Sequence, residues 1–264
     1  MYAFEYKKAA SLDDAKQAFD SADDGTYMAG GMTLIPTLKQ RLASPSDVID
    51  LGSIADLGGI TVDGDTVTIG AMTCHADVAA SAEVKKAIPA LAHLASLIGD
   101  PQVRNRGTIG GSIANNDPAA DYPGALVGLG ATVHTTTKTV SADEFFTGMF
   151  ETALDEGELV TKVSFPIPES AAYQKFPNPA SRYAVVGAFV AKTKDGIRVA
   201  ITGAGPTVFR VPEMELALTA SFTPEAIADN TVPADNLNGD LHATAEYRAH
   251  LIGVMAKRAV ADCA

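Results

Sequence analysis

Tryptophan is absent from the 264 residues, and thiols occur only at Cys74 and Cys263. Two cysteines so far apart in sequence build neither a disulfide framework, nor a CxxC redox pair, nor a thiolate-held iron–sulfur centre, so any such cluster working with this chain belongs to another chain. Basic residues are also scarce, with 20 Lys and Arg against 32 Asp and Glu and a formal net charge of −12. That balance excludes generic binding to nucleic acid or to acidic membrane surfaces. Aromatic residues make up only 6% of the chain, too few for a single-strand stacking platform. No stretch approaches the roughly 18 apolar residues of a membrane span, and the start, MYAFEYKKAASLDD, lacks the apolar centre of a secretory leader. A cytoplasmic, reducing location is the resulting expectation.

Familiar catalytic and nucleotide signatures are missing too. The histidines at 75, 93, 134, 242 and 250 form no HExxH or other short ligand pair, so no metal site is expected. Ser112 lacks the GxSxG setting of a nucleophile elbow. No GxGxxG follows a strand and no GxxxxGK[ST] occurs; after Gly203-Ala204-Gly205, Val208 stands where a third glycine belongs.

What is present is a composition for a packed core, 47% hydrophobic and 20% charged, at a length that suits two modest domains as well as one. Ser11 and Asp14 resemble a capping box before a helix over 12–20. A strand over 26–29 is followed by Gly30-Gly31 and a helix carrying Leu34, Ile35, Leu38 and Leu42. Asp63-Gly64, between two β-branched runs, predicts a hairpin. Pro89 opens a helix that Gly99 ends. Residues 100–124, rich in Gly, Asn, Asp and Pro, look like an ordered functional loop, closed by Asp121 capping a helix with Pro123 in its first turn. A strand follows in ATVHTTT, then a capping box at Ser141 to Glu144. The strand ELVTKVSFPIP ends in prolines, placing a boundary at 166–171. Beyond it, a hairpin about Asp195-Gly196 and helices over 213–219 and 243–261 suggest a small α+β unit.

Two segments carry the chemistry. Ala29-Gly30-Gly31-Met32-Thr33-Leu34 joins close backbone approach to free amides at a helix start, a seat for a phosphate, and is equally a plain strand-to-helix turn. Thr108-Ile109-Gly110-Gly111-Ser112 repeats the pattern with flanking hydroxyls, and is equally a β-bulge or strand bend. Their pairing in an acidic chain accounts for two neutral amide cradles on one diphosphate.

The strings AGGMTL, QVRNRGTIGGSIANNDPAADYP, KFPNPASRYAVVG and YRAHLIGVMAKRAV, in this order along nearly the whole chain, resemble the FAD-binding medium subunit of molybdenum hydroxylases, the carbon monoxide dehydrogenase and xanthine dehydrogenase family. The resemblance implies an α+β protein: a two-subdomain FAD-binding fold of the vanillyl-alcohol-oxidase (PCMH) type over 1–168, with two α/β subdomains, and a small C-terminal domain of antiparallel sheet plus helices over 169–264. It implies that Ala29, Gly30, Gly31, Met32, Thr33 and Leu34 and then Thr108, Ile109, Gly110, Gly111 and Ser112 hold the FAD diphosphate. Asp121 matches an acidic FAD contact, Val160 a main-chain contact beside the flavin, Lys175 a basic cofactor contact, and Tyr183 a neighbour of the isoalloxazine ring. Tyr183 is as readily a core tyrosine at a strand start, and Lys175 a solvated strand-edge lysine. Arg104 and Asn105 are expected to brace the TIGGS segment. Met32 departs from the Gln or His of many relatives, and a thioether donates no hydrogen bond. Asn116 is left outside the site, because relatives often carry His in that stretch.

The implied function is that of an electron-exit module: an iron–sulfur small subunit with two [2Fe–2S] clusters supplies electrons, a molybdopterin large subunit hydroxylates the substrate, and FAD on this chain delivers to an external acceptor. Assembly as a dimer of heterotrimers is implied with it. The alternatives are a self-sufficient FAD oxidase or dehydrogenase, which needs its own pocket and base, and a non-catalytic scaffold, which has no use for two diphosphate cradles.

Overall fold

The computed structural model describes residues 1–263; Ala264, the last residue of the expected C-terminal domain, lies outside them. The chain opens with β1 (Glu5–Lys8), α1 (Leu12–Asp20), β2 (Gly25–Met28), α2 (Leu34–Lys39) and β3 (Asp47–Asp50). These make a three-stranded parallel sheet in the order β1-β3-β2. Ser11 caps α1 by accepting from the Asp14 amide at 3.1 Å. Ala15, Ile49, Leu51, Ile54 and Leu57 form a small core here.

A hairpin follows, β4 (Ile60–Asp63) and β5 (Thr66–Gly70), with Asp63 paired to Thr66. The turn is therefore Gly64-Asp65, one residue beyond the expected pair, because Gly64 takes the positive φ of 53° that such turns require. Next come α3 (His75–Ala80), α4 (Ala82–Ala87), α5 (Pro89–Ser96), α6 (Pro101–Arg104), α7 (Ile109–Asn115) and α8 (Tyr122–Leu129). The expected loop over 100–124 is thus largely helical. Asp100 caps α6 by accepting from the Val103 amide at 2.8 Å, and Thr108 caps α7 by accepting from Gly111 at 3.1 Å. Local caps outweigh the glycine and asparagine content.

The middle of the chain continues through β6 (Thr132–Thr135), β7 (Thr139–Ser141), α9 (Ala142–Phe145), β8 (Phe146–Gly148), β9 (Glu151–Thr152) and β10 (Val160–Pro166). A five-stranded antiparallel sheet runs β4-β5-β10-β6-β7, while β8 and β9 stand apart as a two-stranded ribbon. So the expectation of two α/β subdomains takes two forms, one with a parallel sheet and one with an antiparallel sheet. The main core, from Val67 and Ile69 through Leu91, Leu94, Tyr122 and Leu126 to Phe165, lies between this sheet and α3, α5 and α8.

The last part contains β11 (Ser170–Pro177), β12 (Ala184–Thr193), β13 (Gly196–Thr202), β14 (Phe209–Arg210), α10 (Pro212–Ala220) and α11 (Ala245–Asp262). Its four strands pair antiparallel in sequence order. α11 packs on β11 and β12 and buries Leu251, Ile252, Met255 and Ala259, while α8 covers the other side against β12 and β13. Tyr173, Phe189 and Ala200 join the main core, so the C-terminal sheet is fastened to the first part through α8. Arg248, 4% exposed, donates to the carbonyls of Val185 and Gly203 at 2.6 and 3.0 Å and to Asp240 at 2.7 Å, pinning α11 to the sheet.

Candidate functional site

The two glycine segments, about eighty residues apart in sequence, are pressed together. A Cβ built at Gly30 would stand 1.9 Å from the Arg106 carbonyl oxygen, and one at Gly111 would stand 3.4 Å from the Ala29 Cβ. Gly31 turns the chain with φ of 72° into α2. Gly30 and Gly31 are buried, Met32 and Thr33 exposed. Among the described residues, no protein acceptor takes up the amides of residues 30–34. Buried amides such as those of Gly30 and Gly31 seldom stay unpartnered, and with the more open amides of residues 32–34 they form a neutral donor set for anionic oxygens.

The second segment differs from the expectation of a second free cradle. It is a capped helix start, not a bulge: the Ile109 amide donates to Thr73, Gly110 to Ala71 at 2.8 Å, Gly111 to the Thr108 hydroxyl, and Ser112 to the Thr108 carbonyl. Its amides are spent on the fold, which leaves the half-buried Ser112 hydroxyl as its outward group. Gly110 is demanded by packing, since a Cβ there would lie 2.5 Å from that of Ala71.

Arg104 braces the turn before α6, donating to the carbonyls of Ile98 and Gly99 at 2.9 and 3.0 Å, and Asn105 bonds Pro101; neither side chain reaches the TIGGS segment. His75 does. Its amide donates to the Gly107 carbonyl at 3.0 Å, and its ring fills the space a side chain at 107 would need. Buried with Nδ1 unpartnered, the ring has its pKa pushed down to about 4, first by burial and then by the Arg104 charge. In the unfolded chain the ordinary value near 6.5 returns, so between those limits only the unfolded state binds the proton. Stability is therefore complete above pH 6.5 and falls by on the order of 3 kcal/mol as pH drops toward 4. The denaturation midpoint of wild type should fall more steeply across this window than that of His75→Leu; parallel curves would remove His75 as the cause.

Asp121 corrects a second expectation. It stands before α8 but does not cap it, because its backbone is already helical and its carboxylate turns away. Tyr173 donates to Asp121 at 2.5 Å, and the Lys175 ammonium donates at 2.9 Å and also to the Leu97 carbonyl at 3.2 Å. Lys175 and Asp121 side chains are 3% and 4% exposed, so Lys175 is not a solvated edge lysine. Burial raises the Asp121 pKa, against the pull of Lys175 and Tyr173. The trio ties β11 to α5 and α8. Val160, also buried, begins β10 next to Thr161, whose carbonyl accepts from the Ala71 amide beneath Gly110.

Tyr183 lies just before β12 with 43% exposure, which settles it as a rim residue and not a core tyrosine. Loss of solvent and the Asp117 and Asp121 carboxylates raise its pKa, and the nearby Thr33 hydroxyl of the first glycine segment opposes them. A cavity of about 450 Å³ adjoins it, bounded by Asp117, Phe150, Asn178, Asp240 and Arg248 among others. Sequence reasoning missed the Asn116, Tyr173 and His75 contacts. Among the described residues, no cluster of His, Cys, Asp or Glu is placed to hold a metal, and no helix is long and apolar enough to cross a membrane.

Comparison with known proteins gives this arrangement its context. Residues 2–168 match the model of the FAD binding domain in molybdopterin dehydrogenase, and residues 171–263 that of the CO dehydrogenase flavoprotein C-terminal domain. The chain is 37% identical to the carbon monoxide dehydrogenase medium chain of Hydrogenophaga pseudoflava, over 97% of this chain and 96% of that one. It is 35% identical to the nicotine 6-hydroxylase medium subunit of Paenarthrobacter nicotinovorans, over 98% and 97%. Its fold superposes on carbon monoxide dehydrogenase from H. pseudoflava with a TM-score of 0.90 at 36% identity, covering 100% and 99%, and on quinoline 2-oxidoreductase from Pseudomonas putida 86 at 0.89 and 27%, covering 99% and 97%. Fold and paired glycine segments thus define an FAD-binding oxidoreductase subunit. The chain belongs to the family of FAD-binding medium subunits of molybdenum hydroxylases.

The residues present fit that cofactor. Five free neutral amides at 30–34 suit a diphosphate, and the half-exposed Tyr183 ring, with Thr33 nearby, suits a flat partner.

Proposed function

We propose that this chain is the electron-exit module of a three-part molybdenum hydroxylase. The observation that carries the reading is the row of unpartnered amides at 30–34 pressed against the 106–112 segment. The amides of Gly30 to Leu34, with the Ser112 hydroxyl, hold the FAD diphosphate; Thr108, Ile109, Gly110 and Gly111 fix the wall behind it, and Ala29 spaces the two segments. Tyr183 orients and shields the flavin ring. The Val160 main chain faces it, and the Asp121–Lys175 pair keeps the C-terminal sheet docked at that end. Met32 contributes its amide and an apolar side chain only.

When bound, FAD supplies one- and two-electron transfer between the [2Fe–2S] clusters of a partner small subunit and an external acceptor. A molybdopterin large subunit performs the hydroxylation, and the assembly is a cytoplasmic dimer of heterotrimers. Within this chain, residues 1–168 bind the cofactor and 169–264 complete its ring end. No side chain here touches the hydroxylated substrate.

Co-expression with the genes beside its own tests this assignment. Purification through a tag on this chain should recover both partners in equal amounts, with iron, molybdenum and FAD in a particle of six chains. A chain that purifies alone with FAD and oxidises a substrate unaided would replace this reading with that of a self-sufficient flavoenzyme.

A further inference from the structure

α7 starts at the second glycine segment and ends at Asn116, whose backbone is left-handed with φ of 41°. Its side chain, 1% exposed, donates through Nδ2 to the carbonyls of Gly148 at 2.8 Å and Glu151 at 2.7 Å, while its own carbonyl accepts from the Phe150 amide at 3.2 Å. Asn116 Oδ1 is buried without a donor, so the amide is kept there for its two N–H groups alone. The ribbon it grips has only five residues in strands and is too small to hold its shape unaided.

Between the two gripped carbonyls, Met149 and Phe150 form a tip, 49% and 55% exposed, with Phe150 at φ of 57°. Both line the 450 Å³ cavity that Tyr183 also lines. Phe150, at a positive φ, and Met149 thus form a clamped, half-exposed apolar pair on the cavity that this ring lines.

We infer that Asn116 is a positioning residue that holds the Met149–Phe150 tip as a cover over the flavin-ring end of the cofactor site. The clamp links that cover to the helix bearing the second glycine segment, so cofactor seat and cover move as one piece. The inference rests on Tyr183 marking the ring end.

Its test uses the full chain loaded with FAD, measuring iodide quenching of the bound flavin's fluorescence beside the FAD dissociation constant. Asn116→Gly removes the clamp yet accepts the positive φ without strain, and Phe150→Ala shortens the cover while leaving the clamp. Both should raise the quenching constant at least about three-fold and change FAD affinity by less than that, since the diphosphate contacts lie elsewhere. A merely structural role would lower the unfolding temperature and leave quenching unmoved. Unchanged quenching in variants that hold FAD overturns the inference, with Phe150→Ala deciding alone should Asn116→Gly fail to fold. Failure of the wild-type chain to take up FAD, alone or with its partners, would instead overturn the cofactor assignment beneath it.

Discussion

Gly30→Ala is expected to abolish practical FAD binding. The added Cβ would sit 1.9 Å from the Arg106 oxygen and 2.6 Å from its carbonyl carbon, backbone atoms that no rotamer change can move. That turn is itself fixed, with the Gly107 amide on the Val103 carbonyl at 2.7 Å and the His75 amide on the Gly107 carbonyl at 3.0 Å. The first glycine segment must therefore shift away from the second. Overpacking of this kind costs about 3 kcal/mol of stability. Losing two hydrogen bonds to a charged diphosphate, at about 1.5 kcal/mol each or more, lowers affinity on the order of 100-fold. Gly111→Ala provides the contrast, because its Cβ would meet the Thr108 hydroxyl at 3.0 Å and Ala29 at 3.4 Å, contacts that small shifts relieve. FAD titration should rank Gly30→Ala far below Gly111→Ala; equal affinities would mean that the two segments do not share the cofactor.

Asp121→Ala should be the most destabilising single change in the buried trio. It strands the Lys175 ammonium, 3% exposed, with only the Leu97 carbonyl, and leaves the Tyr173 hydroxyl without its acceptor. Breaking one side of a buried ion pair typically costs about 3–5 kcal/mol, far more than the pair is worth against an apolar replacement. Asp121→Asn with Lys175→Met keeps an acceptor for Tyr173 and removes both charges, so its loss should be clearly smaller. Denaturant melts of the single and double variants measure this coupling. Additive losses would show that the two charges act independently and that the C-terminal sheet is not fastened through them.

Much of the fold was legible because its signals are local. Both hairpins, the α1 cap, the Pro89 start and the long C-terminal helix each rest on residues within a turn or two of one another. The glycine segments stood out for the same reason. Their difference did not, because the Gly110 and Ile109 amides are taken by Ala71 and Thr73, some forty residues back. Asp121 misled for a related reason: a carboxylate before a helix is normally its cap, but partners 52 and 54 residues away outcompete the local amides. β1 and β3, four residues each with the sequences EYKK and DVID, carry no alternating pattern strong enough to declare a strand. The Asn116 clamp joins residues more than thirty positions apart through side chain and carbonyl, a pairing that no periodicity announces.

The most direct test of the account is the flavin content of the purified full chain, taken from its absorbance spectrum, with the released cofactor identified by chromatography. One FAD per chain, alone or with partner subunits, and its loss in Gly30→Ala, is the predicted result. A folded wild-type chain that carries no FAD in either preparation, and binds none on titration, would contradict it.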